Sequence, residues 1–110
     1  MDTLSALADP TRRRIIETLA SADASVATLT SRCRVSQPAM SRHLRVLREC
    51  GIVSSHSHGQ QRIYSLEQNS LREIDDWIAL VRRTWAQRLD AIADEALRGV
   101  TTQRTNKPTQ

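Results

Sequence analysis

Eight apolar residues, Leu71, Ile74, Ile78, Val81, Trp85, Leu89, Ile92 and Ala96, follow one another at steps of three or four. That spacing is close to a heptad repeat and predicts one continuous helix over 70–97. At 1.5 Å per residue such a helix is about 40 Å long. The rest of a 110-residue chain amounts to one domain at most. A core of that size cannot cover the whole stripe. The seam therefore predicts an interface with a second copy, centred on Leu71, Ile74, Ile78, Val81, Trp85 and Leu89. The alternative is a monomer whose helix folds back over its own core, because an uncovered stripe around Trp85 would be an aggregation liability.

Upstream of the seam the pattern is shorter and more broken. Residues 2–8 read as a short helix. Asp9-Pro10 then restarts the chain, with an N-cap residue followed by proline at the first helical position. A second helix is expected over 10–21 with Ile15, Ile16 and Leu19 on its apolar side. Residues 22–25 read as a loop and 26–33 as a short helix. Arg34-Val35 makes a tight turn, and Ser36 is placed to cap a helix over 37–50. That helix carries Met40, Leu44 and Leu47 as a single apolar stripe, and Gly51 ends it. Residues 52–56 and 62–66 then read as two strands joined by a Gly59-containing turn, a β-hairpin. Gly99 is expected to close the last helix and to leave 99–110 as a disordered polar tail.

Charge divides along the same line. Residues 11–62 hold nine arginines (Arg12, Arg13, Arg14, Arg32, Arg34, Arg42, Arg45, Arg48 and Arg62) against Glu17, Asp23 and Glu49, a net +6. Residues 63–97 hold four arginines against seven acids, a net −3. A basic half joined to a mildly acidic half suggests a polyanion-binding part beside a part with another task. Arginine suits bidentate recognition of phosphate and guanine.

The pair of helices at 26–33 and 37–50, separated by a three-residue turn, fits a helix-turn-helix with the hairpin behind it as a wing. Burial of Met40, Leu44 and Leu47 leaves Pro38, Ser41, Arg42, Arg45 and Glu49 facing outward. Gln37 and Ser41, near the helix start, can reach base edges. Arg42 and Arg45 can hold phosphate or guanine.

These residues carry a resemblance. The stretch VSQPAMSRHLRVLRECGIV, followed by GQQRIYSL and preceded by ALADPTRRRIIETL, resembles the arsenical-resistance repressor (ArsR/SmtB) family over residues 2–97. The resemblance implies a fold that is mainly α with a small β-hairpin. This is a winged helix-turn-helix whose N- and C-terminal helices form a dimer interface, with Leu4 and Leu7 joining the seam. One domain would cover 1–98, with helix-turn-helix 26–50, wing 52–66 and dimerisation helix 70–97. It further implies a homodimeric repressor on a palindromic DNA operator. Ser36, Gln37, Ser41 and His43 fall on the motif's DNA-facing positions and Arg62 at the wing position. His43 lies at the edge of the apolar stripe, where a half-buried structural histidine fits equally well.

The family's metal sites have no counterpart here. The position of its Cys-x-Cys pair holds Ser25-Val26-Ala27, and residues 70–97 contain no histidine. No metal and no cofactor is therefore expected. Cys33 and Cys50, or His56 and His58, keep open an alternative in which the same scaffold responds to a metal or a thiol oxidant. A zinc site needs three or four converging nitrogen or sulfur ligands. A further alternative is a winged helix reused for protein–protein contact.

Other classes are excluded by what the sequence lacks. There is no G-x-S-x-G, no glycine-rich phosphate loop and no H-E-x-x-H, so an enzyme is not expected. Aromatic residues are 3%, too few for the base-stacking RNA modules. No apolar run reaches the length of a membrane span. Leu4 and Leu7 are flanked by Asp2 and Asp9, unlike a signal peptide. Two cysteines make no disulfide framework, and the expected compartment is the cytoplasm.

Overall fold

Side-chain caps set where the helices begin. The computed structural model describes residues 1–106, with side chains through Gly99, and divides into the units Met1–Ile74 and Asp75–Gln110. In the first unit, Asp2 accepts the Ser5 backbone N–H at 2.8 Å and opens α1, Thr3–Ala6. Asp9 accepts the Arg12 N–H at 3.0 Å and opens α2, Pro10–Ser21, with proline in its first turn. Ser25 accepts from Thr28 and opens α3, Val26–Cys33. Ser36 accepts from Ala39 and opens α4, Gln37–Glu49.

The end of α4 is a Schellman closure. Gly51 takes a φ of 75°, its N–H donates to Arg48 O at 3.0 Å, and Ile52 N–H donates to Leu47 O at 2.9 Å. Leu47 and Ile52 are both fully buried, the apolar contact that accompanies this motif. One glycine thus turns the chain from the helix into β2, Val53–His58. A two-residue turn at Gly59-Gln60, where Gly59 has a φ of 63°, leads into β3, Gln61–Leu66.

The sheet has a third strand. Residues 24–25, expected as loop, form β1, Ala24–Ser25, and pair antiparallel with β3 at Tyr64 and Ile63. The order is β1-β3-β2. Two residues are too short to show an alternating pattern, so the sequence carries no signal for them. The consequence is mechanical: Ser25 pairs with the hairpin and caps α3, so the wing and the helix-turn-helix share one residue.

The core follows the predicted stripes. Ile15 and Leu19 of α2, Leu29 and Cys33 of α3, and Met40, Leu44 and Leu47 of α4 are all buried, together with Ala6, Ile52, Val53 and Tyr64. Val46, which fits neither face of α4 well, packs partly buried against this cluster.

A turn of 3₁₀ helix, Gln68–Leu71, precedes α5, Arg72–Asn106. The expected stop at Gly99 is not observed. Glycine adopts helical dihedrals as readily as left-handed ones, so without a following proline it need not end a helix; here α5 continues through it to Asn106. Residues 107–110 of the expected tail lie outside the described residues. In the second unit Val81, Trp85, Leu89 and Ile92 are each about half exposed, between 46% and 53%. No helix of the described residues is long and apolar enough to cross a membrane.

The cap at Asp9 gives a first prediction. Its carboxyl is held below the usual carboxylate range, chiefly by the Arg12 N–H; partial burial opposes this, and His43, whose Nδ1 lies 3.8 Å away, adds to it. Asp9→Ala is expected to cost about 1 kcal/mol at pH 7. A depressed folded pKa makes this contribution fully present above about pH 4 and progressively lost in more acid solution. Denaturant melts of both proteins at pH 7, 5 and 3 check it: the gap should be no smaller at 5 than at 7 and should narrow at 3. An equal gap at all three contradicts the capping role.

Candidate nucleic-acid interface

With Met40, Leu44 and Leu47 anchored in the core, α4 presents its other side to solvent. Gln37, Pro38, Ser41, Arg42 and Arg45 are all exposed there. Ser36 is exposed as well, and its Oγ accepts the Ala39 N–H at 3.2 Å, which leaves the hydroxyl free to donate outward. His43 is not in this group. Its side chain is 21% exposed and turns toward the Asp9 carboxylate, the half-buried option that the sequence leaves open.

The hairpin register decides what each wing residue faces. Arg62 pairs with Ser57, and Tyr64 with Ser55, so these four share the face that carries buried Tyr64. Arg62 is exposed, and its Nη1 donates to Ser55 Oγ at 2.8 Å, which fixes the guanidinium along the strand. His56 and His58 lie on the opposite face, both exposed.

The arginines fall into two sets that composition cannot separate. Arg12 Nε donates to Ala6 O at 2.6 Å and Arg13 Nη1 to Leu7 O at 2.8 Å, closing the end of α1. Arg14 Nη1 reaches Cys33 O at 3.4 Å, at the end of α3. These three satisfy carbonyls that the helices leave open, and Arg62 is tied to Ser55. Arg32, Arg34, Arg42, Arg45 and Arg48 are exposed, and among the described residues their guanidinium groups hold no hydrogen bond or ion pair. Four of these five lie in the helix-turn-helix turn or on α3 and α4 beside it, and Arg48 lies in the last turn of α4.

The candidate soft ligands do not gather. Cys33 is buried in the core, and burial pushes its thiol up, opposed by Arg14. Cys50 follows α4, and its Sγ donates to Met1 O at 3.0 Å. Both are free thiols, and no three His, Cys, Asp or Glu side chains come together among the described residues.

Comparison with known proteins agrees with this geometry. The chain is 31% identical over 77 residues to the transcriptional repressor SdpR of Bacillus subtilis, covering 70% of this chain and 86% of that protein. It is 35% identical over 94 residues to the HTH-type transcriptional regulator Rv2034 of Mycobacterium tuberculosis, covering 82% and 88%. Among solved structures, an ArsR-like transcriptional regulator from Rhodococcus sp. RHA1 superposes with a TM-score of 0.72 at 33% identity, covering 84% of this chain and 88% of that one. Residues 9–55, from the Asp9 cap into the first wing strand, match the family described as bacterial regulatory proteins, arsR family. The chain belongs to the arsR family of winged-helix transcriptional regulators.

Proposed function

We propose that this DNA-binding regulator works in the cytoplasm as a homodimeric repressor, occupying a palindromic operator until a signal releases it. The observation that carries the reading is α4: three buried apolar anchors on one side, and on the other an exposed polar face with unpaired arginines. Gln37 and Ser41 read base edges in the major groove, with Pro38 against the groove wall. Arg42 and Arg45 hold phosphate or guanine, Ser36 donates to phosphate, and Arg62 brings the wing to the backbone. His43 contributes chiefly by fixing α4 against Asp9. The half-exposed seam of α5 supports the second copy, and Leu4, 48% exposed on α1, Leu7, Leu71, Ile74 and Ile78 are the further residues assigned to that interface in this reading. Two copies related by a two-fold axis place two recognition helices about one turn of DNA apart.

Selection of sheared genomic DNA by the purified protein, followed by sequencing, tests this. Retained fragments are expected to share an inverted repeat with half-sites 10–11 base pairs apart, about one helical turn. Retention in proportion to fragment abundance would overturn it. On the recovered repeat, Arg62→Ala is expected to weaken binding and to reduce the slope of log K against log salt by about one. An unchanged slope in fluorescence anisotropy contradicts the wing contact.

A further inference from the structure

The turn between α3 and α4 contains a residue that its backbone does not favour. Arg34 has φ 55° and ψ 46°, and among the described residues it is the one non-glycine at positive φ. At the two other positive-φ positions the chain uses glycine, Gly51 and Gly59. A side chain in this region crowds its own backbone, and a helix that ends this way normally ends on glycine. The cap gives no reason for arginine, because the bond it makes is from Arg34 N–H to Thr30 O at 3.0 Å, which any non-proline residue supplies. Nor does the fold use the side chain. Unlike Arg12, Arg13, Arg14 and Arg62, the Arg34 guanidinium is exposed and holds no partner among the described residues.

We infer that Arg34 is a phosphate-contacting residue of the operator complex, kept at a strained position because its charge is needed beside the start of the recognition helix. The inference rests on the function proposed above. It adds a contact from outside α4 and the wing. Arg34 lies two residues before Ser36 and three before Gln37, so a protein seated with those residues in the groove carries the guanidinium to the flanking backbone, where arginine binds phosphate bidentately.

The strain and the charge separate in three variants. Arg34→Gly removes both, Arg34→Gln keeps the strain and removes the charge, and Arg34→Lys keeps both. Arg34→Gly is expected to melt a few degrees higher than the wild type and to bind the operator several-fold more weakly. Its salt slope should fall by about 0.9, the value for one phosphate contact. Arg34→Gln should show the same slope loss without the higher melting temperature, and Arg34→Lys should keep the wild-type slope. Wild-type slopes in Arg34→Gly and Arg34→Gln, or no rise in melting temperature for Arg34→Gly, overturn the inference. Failure of the wild type to prefer the operator over a scrambled duplex overturns the function proposed above instead, so the two failures are distinguishable.

Discussion

Replacing Trp85 with glutamate is expected to leave a monomer that no longer distinguishes an operator from other DNA. Trp85 sits mid-seam on α5, 53% exposed, with the Arg88 guanidinium 5.4 Å from its ring centroid. Val81 and Leu89 flank it at 46% exposure each. Together they form a row of half-exposed apolar side chains at helical spacing along α5. Against a second copy, each side chain buries its remaining apolar area at roughly 25 cal/mol per Å². A carboxylate there must be desolvated twice in a two-fold interface, once from each copy. The DNA consequence follows from the geometry, since a monomer engages one half-site. Specific regulators bind at about 10⁻⁸–10⁻¹¹ M and non-specific contacts at about 10⁻⁴–10⁻⁶ M. A loss on the order of 10³-fold is therefore expected. Sedimentation velocity and anisotropy on the same sample check both parts. A variant that remains dimeric would mean that the α5 seam is not the interface.

The second large effect is on stability. Leu44 is 1% exposed and lies between Met40 and Leu47 in the stripe that holds α4 to the core. Leu44→Ala removes buried methyl groups and leaves a cavity, at a cost of about 2–5 kcal/mol. A domain of this size holds about 5–15 kcal/mol in total, and each kcal/mol shifts its melting temperature by roughly 4–8 °C. The variant is expected to melt about 10 °C lower or more, and to lose operator binding above its new transition while retaining it well below. Leu44→Met, which keeps the volume, should recover most of the loss. Circular dichroism melts decide it: a change under about 3 °C would mean that Leu44 does not anchor the recognition helix.

What could be read from the sequence was local chemistry. Asp9-Pro10 and Ser36 announce their helices because a cap is made within three residues of itself. Gly51 announces the end of α4 because only its own dihedrals and the preceding turn are involved. The stripe at Met40, Leu44 and Leu47 is legible for the same reason: one helix turn repeats a single burial rule. What was not legible depended on distant partners. The pairing of Ala24 with Tyr64 joins segments 40 residues apart through a strand of two residues. Arg12 and Arg42 are indistinguishable as letters, yet one closes α1 and the other is free in solvent. The end of α5 is not legible at Gly99, because glycine permits a helix stop without enforcing one.

The proposed repressor depends on sequence-selective binding through α4. Fluorescence anisotropy with a duplex carrying the recovered inverted repeat, beside a scrambled duplex of equal length, tests it most directly when both are titrated at several salt concentrations. A dissociation constant of about 10⁻⁸ M or tighter is expected for the repeat at physiological salt, and about 10⁻⁴–10⁻⁶ M for the scrambled duplex. Equal, weak and steeply salt-dependent binding to both would contradict it.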